Sequence, residues 1–143
     1  MPHSLPKIWV HVVFSTKNRV PLIKEPLEKK LYPFIRNQLQ EKKCYLKTIG
    51  GIEDHIHMLF SLHQNISLAD MVKQIKGASA YWINHNDLIS EKFSWQTGYG
   101  AFSVSESQKA RVQKYIENQK EHHRTKSFQE ELDQIVDLDH LEI

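Results

Sequence analysis

Four short stretches of the chain are rich in β-branched and aromatic residues, and three longer stretches carry apolar residues at helical spacing. Residues 7–14, KIWVHVVF, are apolar on both alternating faces, which predicts a strand buried on both sides and therefore central in a sheet. Further strands are predicted at 45–52, at 55–62 and within 92–104.

The helical stretches lie between these strands and after the last one. Residues 26–43 carry an apolar stripe, a second helix follows Ser67, and a third runs from Ser105 to about residue 124. Ser67 is a good N-cap, and Ser105 with Gln108 has the pattern of a capping box.

Proline and glycine modify two of these elements. Pro33 should either kink the first helix or open a second helical segment. The pair Gly50-Gly51 should let the second strand bend or bulge before the third begins.

The order β-α-β-β-α-β followed by an extra helix predicts an α+β fold. It is the ferredoxin-like, RRM-like arrangement, an antiparallel sheet with two helices on one face. Its first and third strands are central neighbours. The additional C-terminal helix must then cover the other face of the sheet or dock elsewhere.

Composition limits the class of protein. A chain of 143 residues suits one domain, which we expect at 1–124, followed by a short acidic tail at 125–143. Cys44 is the only cysteine, so an internal disulfide and a thiolate zinc site are excluded. The apolar runs are too short to span a bilayer, and MPHSLPK does not resemble a secretory signal, so we expect a cytoplasmic protein.

The net charge of +2 is unevenly distributed. Residues 125–143 contain six acidic side chains and one lysine, so the tail carries −5 and the preceding body +7. A basic body suggests a polyanionic partner, although a solvated surface would look the same.

The most informative motif is His55-Ile56-His57 in the third predicted strand. Side chains alternate along a strand, so both imidazoles project from one face about 7 Å apart and can converge on one divalent ion. A hydrophobic strand that carries two histidines by chance has the same pattern, so the motif alone leaves both interpretations open.

The last predicted helix places polar groups together. Tyr115, Gln119, His122 and His123 fall within one sector at about 100° per residue. Alternatively, Tyr115 simply extends the apolar stripe of the helix and the other three are solvated.

Taken together, these segments resemble the small single-tyrosine HUH transposases of bacterial insertion sequences, the family numbered two hundred and six hundred and five. The resemblance covers about residues 7–124 in the order and spacing of the family. It is carried by HVVFSTKNRVPL, DHIHMLF, IKGASAYWI, WQTGYGAFSVS and YIENQKEHH.

The resemblance implies a metal-dependent enzyme that cleaves and rejoins single-stranded DNA at hairpin-bearing element ends. Tyr115 would be the nucleophile and form a 5′-phosphotyrosine intermediate. His55, His57 and Gln119 would hold Mg²⁺ or Mn²⁺, with His123 as the second choice for the third ligand. The family also implies a homodimer in which Tyr115 of one subunit completes the site of the other.

Other residues are assigned less directly. We expect His11 to be a satisfied sheet histidine, and we expect core packing for at least two of the aromatic side chains Trp95, Tyr99 and Phe102, which could otherwise stack bases. Candidate phosphate contacts flank the proposed site or lie on the polar faces of its helices; they are Lys17, Arg19, Lys73, Lys76 and Arg111.

Two alternative functions remain. A domesticated relative that processes repeated palindromes would use the same chemistry on another hairpin. A non-catalytic RRM-like nucleic-acid-binding domain would instead carry stacking aromatics on the open face of its sheet.

Overall fold

The computed structural model describes residues 7–122 and residue 130. The predicted acidic tail lies outside these residues except for Glu130, so the boundary at residue 124 stays a prediction. The strands are β1 (Trp9–Ser15), β2 (Tyr45–Ile52), β3 (His55–Ser61) and β4 (Gly100–Val104), and the helices are α1 (Glu25–Glu41), α2 (Leu68–His85), α3 (Lys109–Glu117) and α4 (Gln119–His122).

The four strands form one antiparallel sheet in the order β2-β3-β1-β4. The first and third strands are therefore central neighbours, and the predicted ferredoxin-like α+β fold is confirmed. Within the described part of the chain, no helix has both the length and the apolar character needed to cross a membrane.

The two faces of the sheet have separate apolar clusters. Ile56, Met58 and Phe60 of β3 join the main core, which also contains the buried apolar residues of α1 and α2. Leu59, between them in sequence, packs instead with Val112 and Ile116 of α3 and with Trp9 and Val104. By the same alternation, His55 and His57 lie on the face that α3 covers.

Local signals account for the starts of α1 and α2. Ser67 caps α2 as predicted, since its side chain accepts a hydrogen bond of 3.0 Å from the Asp70 amide. Pro26 occupies the first turn of α1, where a missing amide hydrogen costs little. Pro33 is exposed inside the same helix, which continues through it, so the predicted second segment is wrong.

The glycine pair does not bulge the second strand. β2 pairs with β3 in regular register from Thr48 through both glycines, and the irregularity lies between Leu46 and Thr48. Gly50 instead allows close packing, because a Cβ atom there would overlap the Ile116 carbonyl oxygen of α3. The backbone of α3 thus lies directly on the sheet at this residue.

The start of α3 differs from the predicted capping box. Residues Glu106–Gln108 form a 3-10 turn, and the Ser105 hydroxyl lies 3.1 Å from that of Ser107 rather than capping an amide. Glu106 fixes the turn: its carboxylate accepts 2.8 Å hydrogen bonds from Trp9 Nε1 and Lys109 Nζ. Contacts to β1 therefore determine where the helix begins.

The predicted helix to residue 124 is interrupted. α3 ends at Glu117, and the backbone N–H of Asn118, the C-cap residue, donates hydrogen bonds to the carbonyls of Lys114 and Tyr115. A new turn, α4, starts at Gln119. Asparagine favours such caps because its short polar side chain competes with regular helix hydrogen bonds.

The fourth strand occupies only the end of its predicted interval. Gly98 has a φ of +89°, a conformation that ends regular pairing and suits glycine. Before it, Trp95 forms only an isolated bridge with Thr16.

We predict that Gly50→Ala destabilises the protein by about 1–3 kcal/mol, because the added methyl group must push α3 off the sheet. Denaturant unfolding measures the change, and hydrogen exchange should show faster opening of α3. Gly77→Ala is the matched control, since its Cβ would meet nothing within 4 Å. Equal stability of the two variants would contradict the packing argument.

Candidate active site

Two histidines of β3 form the centre of the site. His55 and His57 are fully buried, and their ring centroids lie 5.2 Å apart with the planes at 71°. Their common face confirms the alternation expected from the His-Ile-His motif, and Ile56 between them belongs to the main core. The pair is thus fixed by a central strand bonded on both sides.

His11 joins these two histidines. Its Nε2 lies 2.9 Å from His57 Nδ1, and the two ring centroids are 5.1 Å apart. His11 is buried and hydrogen-bonded, as expected of a sheet histidine, but its contact makes it part of the site. The pairing of β1 with β3 is the signal that could have found it, because His11 opposite Leu59 is a diagonal neighbour of His57.

Asp54 is a second residue that the sequence reasoning missed. Its Oδ1 lies 2.7 Å from His55 Nδ1, and its Oδ2 lies 3.8 Å from Arg19 Nε. A carboxylate on Nδ1 orients an imidazole and directs its Nε2 elsewhere, the arrangement common behind metal-binding histidines. Its position directly before His55 in the motif was the available signal.

Tyr115 packs against the histidines rather than within the apolar stripe of α3. Its ring centroid lies 5.9 Å from that of His57 and 6.3 Å from that of His11, and the side chain is 7% exposed. Val112 and Ile116 form the stripe without it. One chain by itself therefore brings a phenol to the buried imidazoles.

Gln119 follows Tyr115 at the start of α4. It is 1% exposed, its Nε2 donates at 3.5 Å to the Tyr115 carbonyl, and its Oε1 has no hydrogen-bond partner in residues 7–122. The next residue, Lys120, forms an ion pair of 2.8 Å with Glu28 of α1 and ties this turn to the opposite layer. His123, the other candidate ligand, lies outside the described residues.

These side chains fit a divalent ion held by mixed ligands. Among the residues that the structure describes, no three His, Cys, Asp or Glu side chains are grouped to hold one ion. Gln119 Oε1 is a buried acceptor without a partner, and such an atom favours a bound donor or cation. Two imidazoles with an amide oxygen suit Mg²⁺ or Mn²⁺.

The candidate phosphate contacts differ in their exposure. Lys17, Arg19, Lys73 and Arg111 are exposed, and of these Arg19 borders the site through Asp54.

Lys76 has an internal role instead. Its Nζ donates hydrogen bonds to the carbonyls of Gln96 at 2.7 Å and Gly98 at 2.8 Å, and burial lowers the pKa of this amine. Gln96 in turn bonds the backbone of Ser15, which pairs with His55. Lys76 therefore anchors the loop that follows α2 beside the sheet.

The aromatic residues near the site are mostly packed. Trp95 contacts Phe14 edge to face and donates to Ser79 Oγ at 2.9 Å. Phe102 of β4 is partly buried and lies 6.0 Å from the His11 ring, while Tyr99 is exposed.

Comparison with known proteins gives a consistent result. The family described as IS200-like transposases matches residues 4–119. The ISDra2 transposase TnpA of Deinococcus radiodurans is 28% identical over 114 residues, which cover 76% of this chain and 81% of that protein.

Two solved structures share the fold. A transposase from Deinococcus radiodurans R1 superposes with a TM-score of 0.67 at 25% identity and covers 83% of this chain and 95% of its own. A REP-associated tyrosine transposase bound to a REP hairpin has a TM-score of 0.61 at 12% identity, with coverage of 82% and 69%.

We predict that Lys76→Met lowers the free energy of unfolding by about 1–3 kcal/mol, because two carbonyls lose a charged donor. Denaturant titration measures it, with faster hydrogen exchange expected around residues 96–98. Lys73→Met on the same helix is the control, and as an exposed change it should stay within about 0.5 kcal/mol. Unchanged stability of Lys76→Met would refute the anchoring role.

Proposed function

We propose that this chain, which belongs to the IS200-like transposase family, cleaves and rejoins single-stranded DNA at hairpin-bearing element ends. The observation that carries the proposal is the packing of the Tyr115 ring against buried His57, one residue from His55 on the same face. A phenol and two imidazoles thus meet under one helix.

Tyr115 would be the nucleophile. Its phenolic oxygen attacks the scissile phosphorus, so a bond from phosphorus to the tyrosine oxygen forms and the bond to the 3′-oxygen breaks. The phenol gives up its proton in the attack, the leaving oxygen takes up one proton and becomes a free 3′-hydroxyl, and the 5′-phosphate stays on the tyrosine. The reverse attack by a 3′-hydroxyl of another end rejoins the strand, and the stored phosphodiester energy makes ATP unnecessary.

The phenol needs assistance, since it is mostly protonated at neutral pH. His55, His57 and Gln119 would hold Mg²⁺ or Mn²⁺, which supplies charge neutralisation on the scissile phosphate. The burial of Tyr115 supports the proposal in a second way, because exclusion of water protects the covalent link from hydrolysis.

DNA would approach along the exposed basic residues. Arg19 pairs with Asp54, the residue directly before His55, and Lys17 and Arg111 are further exposed basic residues. Lys73 is exposed on α2, whereas the ammonium group of Lys76 is already used by two backbone carbonyls. Contacts to phosphates would give binding a strong salt dependence.

The alternatives are less well supported. The non-catalytic RRM-like domain needs an open sheet face with stacking aromatics, but α3 covers this face. A palindrome-processing relative remains chemically equivalent. The sequence identity of 28% to an insertion-sequence transposase favours a mobile-element enzyme over the REP-associated protein, with which the chain shares the fold at 12% identity.

A homodimer is part of the proposal. The resemblance implies that Tyr115 reaches the histidines of the other subunit, while in one chain it lies against its own His57. Exchange of α3 between subunits would reproduce the same contacts in trans. In such an exchange, the chain would change direction at Gly98 or at the 3-10 turn before α3, so that α3 packs on the other subunit.

We predict that incubation with labelled hairpin-bearing single strands and Mn²⁺ gives a denaturation-resistant protein–DNA adduct. The adduct should be lost in Tyr115→Phe, because the nucleophilic oxygen is missing, and gel electrophoresis under denaturing conditions measures it. Tyr81→Phe is the matched control, since Tyr81 is 67% exposed on α2.

The same assay tests the ion. Chelator, or His55→Ala with His57→Ala, should abolish the adduct while the fold persists by circular dichroism. An adduct that persists in Tyr115→Phe would refute the nucleophile, and one that forms equally well in chelator would refute the metal role.

A further prediction concerns assembly in trans. Heterodimers of a His57→Ala chain with a Tyr115→Phe chain, purified by two different tags, should regain about half of the wild-type adduct, because one of two shared sites is intact. Each variant alone should be inactive. Absence of recovery in verified heterodimers would instead favour the cis arrangement seen in one chain.

A further inference from the structure

We infer that His11 is a positioning residue that accepts the Nδ1 proton of His57 and so directs the lone pair of His57 Nε2 toward the metal. This inference rests on the proposed function, because it concerns how the histidine pair is prepared for an ion. The observation behind it is the 2.9 Å contact between His11 Nε2 and His57 Nδ1 on a buried face.

The two histidines of the pair are held in parallel ways. His55 Nδ1 lies 2.7 Å from Asp54 Oδ1, and an ionised carboxylate there only accepts, which places the proton of a neutral His55 ring on Nδ1 and its lone pair on Nε2. His57 Nδ1 has His11 in the corresponding place. Each histidine therefore has a side chain behind the nitrogen that faces away from the proposed ion.

The contact between two imidazoles allows two arrangements. If His57 Nδ1 donates to His11 Nε2, the Nε2 of His57 has a lone pair and can ligate a cation. If His11 donates instead, the His57 proton lies on Nε2 and blocks ligation. Any ion at His57 thus requires the first arrangement, and a buried N–H needs an acceptor, which His11 provides.

His11 acts through His57 and is not itself a ligand. The described ranges contain no group of three His, Cys, Asp or Glu side chains arranged to hold one ion, and His11 Nε2 is already in contact with His57 Nδ1. His11 also contacts the Tyr115 ring, at 6.3 Å between centroids. One imidazole therefore lies behind the ligand and beside the proposed nucleophile.

The first test measures Mn²⁺ binding to the full chain, either by calorimetry or through the electron spin resonance signal of the free ion. We expect His11→Phe to weaken binding 10- to 100-fold, the loss typical when a partner behind a histidine ligand is removed. His11→Gln should retain most of the affinity, because its amide oxygen reaches the place of Nε2. His85→Phe is the control, since His85 is exposed on α2 and stacks on Tyr81.

The second test is the tautomer of His57, measured by long-range proton–nitrogen correlation on the wild-type protein without metal. A proton on Nδ1 supports the inference, and a proton on Nε2 overturns it even where His11→Phe fails to fold. Unchanged Mn²⁺ affinity in a folded His11→Phe overturns it as well. Wild-type protein that binds no Mn²⁺ refutes the metal role in the proposed function, a result distinct from both.

Discussion

The burial of three imidazoles between the sheet and α3 is the constraint on which the site depends. Polar rings without access to water must find partners inside the protein, or their burial would cost several kcal/mol. The chain meets this requirement with Asp54 behind His55 and His11 behind His57. The same contacts that satisfy the buried rings also fix their orientation, so they serve both the stability of the fold and the geometry of the site.

Because side chains alternate along each strand, the sheet has its apolar core on one face and the histidines on the other. On one face, α1 and α2 cover the main apolar core. On the other, α3 covers the histidines, and a small apolar cluster around Leu59 and Ile116 attaches it together with the ring of Tyr115 and a hydrogen bond from Thr48 Oγ1 to Glu117. Gly50 compensates for this small area, because the absent side chain allows the helix backbone to approach the strand directly. Close packing of the α3 backbone on β2 therefore makes up for the small apolar area that α3 buries.

Much of this was predictable from the sequence because it follows from periodicity. The first three strands, the Ser67 cap and the common face of His55 and His57 depend on local spacing, and the structure agrees with them. The errors depend on tertiary contacts instead. Ser105 fails as a cap because Glu106 is held by Trp9, a residue 97 positions away. The roles of His11 and Gly50 required the strand register and the position of α3, which no local pattern contains.

The break at Asn118 has a mechanical consequence for the proposed ligand set. His55 and His57 belong to a central strand, while Gln119 lies on a separate single turn tethered to α1 by the ion pair of Lys120 with Glu28. Tyr115 lies on α3, before the break, so the proposed nucleophile and the proposed third ligand belong to different helices. A movement of α3 alone would therefore carry the proposed nucleophile away from the histidines and leave the proposed amide ligand in place.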